Sequence, residues 1–473
     1  MNVLALLFGV PLLLQAAPSP SASTTSFGAS GSPPPAAPAP SGSGGPPLPG
    51  VTPPPNAQVL HLDDAVQTAI KNQPSIAQAQ AVTRGQEAVV TQARSGYLPQ
   101  VSATGSYQYG YGIYRTQTAT TATGAATGGA GGASTNALSS AWSFGLTGSQ
   151  LIYDFGQTYD KTRAASRQVE SFRASERVTE LTVLLNVRRA YFTARADRAL
   201  VEVAQKTLAN EQKHMAQVQG FVTAGTHAEI DLAQERSNLA NDRVQLITSQ
   251  NNYAVARSQL NQAMGVIGSL DYEVADEEIG PLPGEDESAD SMMPQAIANR
   301  PEILTLEKQR ESQRLTVSAI RGAYGPSLLA TGAATEAGPA LSDLNPTWYV
   351  GALLSWPIFQ GGLTTGQVHQ AEANVDASDA QIAVEKLQVR VDVETALLGI
   401  RAAKASIDAA NDALLNAREL LRQAEGQYTA GVGTIIQLSD SQVTLTNAEA
   451  QVVQAQFNLA TARAQLLTAV GRR

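Results

Sequence analysis

"VTAGTHAEIDL" at residues 222–232 and "YTAGVGTIIQL" at residues 428–438 are near-echoes, 206 residues apart. Each places a glycine, Gly225 or Gly431, between two runs of helical periodicity, and neither contains a set of catalytic residues. Other pairs keep the same spacing: "LIYDFG" (151–156) with "PIFQGG" (357–362), and "AMG" (263–265) with "AVG" (469–471). Upstream the offset is 227, in "AIKNQPSI" (69–76) with "AIANRPEI" (296–303) and "GYLPQVSATGS" (96–106) with "AYGPSLLATGA" (323–333). The difference of 21 residues locates an insertion in the first copy, where the small-residue stretch "TATTATGAATGGAGGAST" (118–135) lies. One unit is used twice, and such a repeat governs the expected fold.

Each unit reads as helix, two strands, long helix, tip, helix. No proline occurs between Gly156 and Gly265 or between Gly362 and Gly471, which permits very long helices. Continuous helices over 157–219 and 363–425 would each reach about 95 Å at 1.5 Å per residue. After each tip the pattern becomes heptad. Leu438, Leu445, Val452, Leu459 and Leu466 recur every seven residues, with Ser441, Ala448, Ala455, Ala462 and Ala469 on the second seam position. Leu232, Leu239, Leu246, Tyr253 and Leu260 hold the same register in the first copy. Sustained heptads with small seam residues predict closely packed helix pairs. Helices near 30 residues are expected before the strands, at about 62–94 and 292–321, so that one of these stacked on a post-tip helix matches the long helix beside them.

The strands alternate with period two. Val101, Ala103, Tyr107, Tyr109, Tyr111 and Ile113 face one way, as do Leu138, Trp142, Phe144 and Leu146, and Trp348, Val350, Ala352, Leu354 and Trp356. Trp348 and Trp356 lie about 26 Å apart along a strand, the height of the apolar band of an outer-membrane barrel. Alternation alone also fits a soluble sheet with one buried face, but no other segment supplies a layer to cover that face. Four strands cannot close a barrel, and an open edge is not tolerated in lipid. Chains must therefore pool strands.

Composition narrows the classes. Aromatics are 5% of 473 residues and the net charge is −9, without a basic stripe, so no nucleic-acid partner is expected. Absence of cysteine removes disulfides, thiolate metal sites and a Cys nucleophile. His61, His214, His227 and His369 are scattered without metal-ligand spacing, and no phosphate loop or nucleophile elbow occurs, so neither catalysis nor a cofactor is expected. An apolar run from Val3 to Leu14 followed by Ala16 and Ala17 reads as an export signal over 1–17, although no Lys or Arg precedes it. Residues 18–58 hold 13 of the 24 prolines and read as a disordered tether. The ordered chain then divides into a first repeat (59–265), an acidic connector (266–291) and a second repeat (292–471). The hairpins fall at about 97–155 and 324–359, and the tips at about 220–228 and 426–434. Within the connector, "LDYEVADEEIGPLPGEDESAD" (270–290) carries nine acids and no base.

The whole of 59–471 resembles the TolC-like outer-membrane efflux proteins. The resemblance is carried by the duplication, by Asn72 and Pro74 with Asn299 and Pro301, by Tyr97 and Pro99 with Tyr324 and Pro326, by the turn "WPIFQGG" (Trp356, Pro357, Phe359, Gly361, Gly362), and by the tip residues Tyr428, Gly431 and Thr434. It implies a mostly α membrane protein: a homotrimer whose β-barrel, four strands per chain, crosses the bacterial outer membrane and continues into a periplasmic α-barrel. It implies a passive exit duct docked onto a periplasmic adaptor and an inner-membrane transporter, with Gly225, Tyr428, Gly431 and Thr434 at the docking tips. The family often carries two lumen-facing acids three residues apart beyond the tip. Here Asp440 matches the second position and Gln437 stands at the first, while Asp231 matches the first position in the other copy with Gln234 at the second. A trimeric coiled-coil spacer or adhesin without channel activity is the alternative reading, which explains the heptads but not the strands.

Overall fold

The structure, a computed structural model, describes residues 58–111, 138–226, 228–268 and 271–473, all within the compact unit Gly50–Arg473. The expected export signal, the tether up to residue 57, the 118–135 insertion and His227 lie outside the described residues.

One succession of elements occurs twice. The first half runs β1 (Gln58–Leu60), α1 (Leu62–Asn72), α2 (Pro74–Ser95), β2 (Gln100–Tyr111), β3 (Leu138–Tyr153), α3 (Gln157–Thr223) and α4 (Glu229–Met264). A connector containing β4 (Tyr272–Val274) leads to α5 (Ala289–Asn299), α6 (Pro301–Arg321), β5 (Ser327–Ala340), β6 (Asp343–Ser355), α7 (Leu363–Thr429) and α8 (Ile435–Ala469). Helices α3 and α7 each have 67 residues, about 100 Å of helix. Each begins at a glycine with φ of 87°, Gly156 or Gly362, and packs against the helix that follows its tip. The small seam of α8 is buried throughout, at Ser441, Ala448, Ala455, Ala462 and Ala469, as close helix approach requires.

The single helices expected before the strands are instead broken in two, and the cause is the Asn-x-Pro motif. Gln73 (φ −70°, ψ 118°) and Arg300 (φ −70°, ψ 116°) are extended, because the proline ring that follows crowds them out of the α region. Pro74 and Pro301 then open the next helices, where no N–H is needed. A distant helix end fills each break. At Gly265 a Cβ would lie 2.8 Å from the Asn72 carbonyl oxygen, and at Gly471 2.7 Å from that of Asn299. Gln73 Nε2 donates to the Ala263 carbonyl at 2.9 Å, and Arg300 Nε to that of Ala469 at 3.0 Å. The Asn-x-Pro and Ala-x-Gly motifs are thus two halves of one joint, by which α4 and α8 abut the chain's shorter helices.

The four long strands form one antiparallel sheet in the order β2-β3-β5-β6. Its register aligns Ala103, Leu146, Ala334 and Trp348 across all four strands, with Tyr107 opposite Trp142 and Gly332 opposite Val350. This face carries exposed apolar side chains, among them Val101, Tyr107, Tyr109, Leu146, Trp348, Val350 and Leu354. The other face carries a polar ladder, in which the hydroxyls of Ser102 and Thr147 are 2.7 Å apart and those of Thr335 and Thr347 2.6 Å apart. Strands β2 and β6 each have a partner on one side alone among the described residues.

The acidic connector is clamped by basic side chains that recur at the 206-residue offset. Arg195 reaches Asp276 and Glu278 while its counterpart Arg401 donates to the Glu287 carbonyl. Arg198 donates to the Val274 carbonyl, and its counterpart Lys404 meets Glu285 and Asp286. Buried Arg257 donates to the Tyr272 carbonyl; its counterpart Arg463 forks onto Glu285, at 2.9 and 3.0 Å, and donates to the Ile279 carbonyl. Strand β4 also pairs in parallel with β1, tying the connector to the segment just before α1.

Candidate functional site

The tips are built from backbone chemistry first. Gly225 and Gly431 adopt φ of 74° and 75°, the left-handed conformation that lets the chain leave a helix and reverse. The amides that follow close back onto the helix ends, Thr226 onto the Phe221 carbonyl and Val432 onto that of Gln427, both at 3.0 Å. Thr434 then caps α8: its hydroxyl accepts from the Gln437 amide at 3.3 Å, while Gln437 Oε1 accepts from the Thr434 amide at 3.2 Å. This reciprocal capping box gives Gln437 a structural role at the start of α8.

Both tips share one apolar core. Val218, Leu421, Ala424, Tyr428, Ile435 and Leu438 are buried together, with Phe221, Val222, Leu232 and Leu445 packed against them. Tyr428 is 5% exposed and meets Phe221 edge to face at 6.3 Å. Burial, then the nearby carboxylates of Asp231 and Glu235, push its phenol up to about 12. Tyr428 is therefore an internal strut of the tip, whereas Gly225, Gly431, Val432 and Thr434 lie on its surface. Asp231 sits half-buried in the first turn of α4, close to the positive helix end, and Asp440 is exposed in the second turn of α8. The two helix pairs are joined above the tip by Asn238 Nδ2 donating to Ser439 Oγ at 2.9 Å and by the Thr207 and Thr446 hydroxyls at 3.1 Å.

At the other end of the helices, Trp356 Nε1 donates to the Tyr324 carbonyl at 3.1 Å, so the two junction motifs hold each other. Pro357 and the outward Phe359, 88% exposed, lead into Gly361 and Gly362, with φ of 59° and 87°. The first copy places Phe155 at the Gly361 position with φ of 57°. Its side chain lies over Gly325, where a Cβ would come within 2.6 Å of the Phe155 Cβ. The described histidines stay apart: His61 meets Glu277 at 2.5 Å and His214 meets Glu425 at 3.4 Å, while His369 lies on α7.

Sequence reading passed over Glu211 and Glu235, which are 4% and 2% exposed on α3 and α4. The signal was available in the repeat: at the 206-residue offset their counterparts are Ala417 and Ser441.

The chain matches the outer membrane efflux protein family over residues 65–266 and 292–472. It is 28% identical to the outer membrane efflux protein BepC of Brucella suis biovar 1 (strain 1330), over 87% of this chain and 85% of that protein. It is 26% identical to the outer membrane protein TolC of Escherichia coli (strain K12), over 88% and 83%. Its fold is similar to that of the outer membrane protein VceC from Vibrio cholerae, with a TM-score of 0.71, 17% identity, and coverage of 87% of this chain and 96% of the other. With its long helix pairs, its outward apolar sheet and both halves matched, this chain belongs to the outer membrane efflux protein family.

Proposed function

We propose that three copies of the chain pool their sheets into one closed outer-membrane barrel and their helices into a periplasmic α-barrel, forming the passive exit duct of a tripartite pump. The observation that carries this reading is the open sheet. It has four strands with an apolar face in solvent and a polar face behind it, an arrangement stable in lipid only when both edges are paired. β2 of one copy paired with β6 of the next closes the ring and leaves the hydroxyl ladder inside. The tips, with Gly225, Gly431 and Thr434 at the surface and Tyr428 holding the turn, are the docking end for a periplasmic adaptor, which links the duct to an inner-membrane transporter. Asp231 and Asp440, tripled, make carboxylate rings that concentrate cations at the entrance.

Planar-bilayer recording tests this function. Discrete ion-conducting steps from the purified trimer are expected. A trimer that inserts but never conducts at any pH or salt would leave only an envelope spacer. For the entrance, Asp440→Ala is expected to weaken block by divalent cations. Unchanged block in both Asp440→Ala and Asp231→Ala would remove these carboxylates from the lumen.

A further inference from the structure

Between α3, α4 and α8, from about one to about seven turns from the tip, lies a cavity of about 280 Å³ lined by three carboxyl groups, Asp197, Glu211 and Asp242, and by no basic residue. Glu235 of α4 stands behind it, its carboxyl group close to that of Glu211. None of these acids is demanded by the fold. At the 206-residue offset the same four positions are Ala403, Ala417, Ser441 and Ala448, all buried in the α7–α8 pair. Glu235 and Asp242 therefore occupy a coiled-coil seam that the other half fills with Ser and Ala. Burying ionised carboxyls there without cationic partners costs several kcal/mol, and nothing in the matching half of the fold requires it. The carboxyls are also unsatisfied: Glu211 Oε1 and Glu235 Oε2 are buried with no protein donor, although both residues are more than nine-tenths buried.

We propose that this cavity is a binding site for an organic cation carrying an apolar body, such as a substituted ammonium. The walls fit that class. Leu200, Val203 and Val443 line the cavity beside the carboxyls, and its volume approaches the lower range of ligand pockets. A bare metal ion fits poorly, because no three acidic or histidine side chains among the described residues converge closely enough to hold one. The cavity also continues the stripe of the entrance acids. Asp231, Asn238, Asp242 and Gln245 follow one another at helical spacing on α4, as do Asp440, Val443 and Asn447 on α8. On the duct reading this stripe faces the lumen; the binding claim itself stands without that reading.

Proton linkage makes the site recognisable. Burial, then the adjacent Glu235 carboxyl and the charge of Asp242, push Glu211 up to about 9, against a smaller opposing effect of Asn238. Burial also raises Asp197, and burial together with Glu235 raises Asp242. The lining from α8 is uncharged, Ser439, Gln442, Thr446 and Asn447 among it, and Lys206 and Lys213 line a separate cleft with Glu449. An arriving cation therefore displaces a proton from Glu211, and its affinity rises with pH.

The test is calorimetric titration of the detergent-solubilised full chain with benzyltrimethylammonium, with benzenesulfonate as the anionic control. The cation is expected to bind at least about tenfold more tightly at pH 8 than at pH 6, with release of up to one proton, read from the heats in phosphate and Tris buffers. Glu211→Gln is expected to weaken binding at pH 8 at least about tenfold and to remove the proton release; the alanine at the matching position of the second half indicates that the helix pair tolerates the change. Asp242→Asn is expected to weaken binding while leaving proton release in place. No heat with the cation, equal binding of benzenesulfonate, or a Glu211→Gln protein with unchanged affinity and proton release would each overturn the site. Conductance is not used in this test, so failure of the duct reading and failure of the binding site remain separable.

Discussion

Replacing Glu285 by Gln is expected to release the connector from the helices, and the structure sets the size of the effect. Glu285 is 3% exposed, forked by Arg463, met by Lys404 at 2.9 Å, and accepts from the Leu282 amide at 2.9 Å. Burial alone would raise its carboxyl, but Arg463, the Leu282 amide and Lys404 outweigh burial and bring it down to about 2 from the ordinary 4.5. A shift of that size is worth about 3 kcal/mol. Because the folded-state value is depressed, this stability is fully present above about pH 5 and is lost as pH falls toward 2, leaving about 1 kcal/mol at pH 3. Deuterium exchange of the Glu285 and Glu287 amides, which bond back to Leu282 and Gly284, measures it. Glu285→Gln is expected to lower their protection about 100- to 300-fold at pH 7 and about tenfold at pH 3. The control is Asp286→Asn, since Asp286 is 77% exposed and its contact with Lys404 is worth little in solvent. Protection in Glu285→Gln within threefold of the parent at pH 7, or an equal loss in Asp286→Asn, would refute the idea that one buried carboxylate locks the connector.

Three further outcomes are expected. Gly265→Ala should cost about 2–4 kcal/mol, because its Cβ meets the Asn72 backbone on top of an unfavourable φ, whereas Gly156→Ala, with open space around it, should cost only about 1 kcal/mol; equal shifts in thermal unfolding midpoint would break the joint described above. Thr434→Ala should cost about 1 kcal/mol and raise exchange of the Gln437 amide, since it removes one arm of the capping box; unchanged exchange would mean that the cap does not hold α8. Gly325→Ala should lower the unfolding midpoint through collision with Phe155, and adding Phe155→Gly should restore most of it; a double variant no better than the single one would place the strain elsewhere.

Much of this protein is legible along the chain. The duplicated glycines at Gly225 and Gly431 mark the tips, the proline-free stretches permit the 67-residue helices, and the period-two runs lie on one sheet face in register. These features depend on residues close in sequence, where glycine conformation, proline geometry and periodicity act directly. The contacts that close the fold were not legible in the same way. Gln73 and Gly265 read as a helix residue and a helix stop, and only packing shows that they form a joint with Asn72. The nine acids of the connector read only as an acidic linker, yet arginines on α3, α4, α7 and α8 and a lysine on α7 hold much of it. Similarly, Glu235 passes for one exposed helix acid among many until α3 brings Glu211 against it. Chain order determined which segments are helix, strand and turn, because those choices are local. Which charges are neutralised, which breaks are filled and where carboxyls are stranded was decided in the tertiary structure, because burial and Coulomb energy depend on neighbours some 200 residues away.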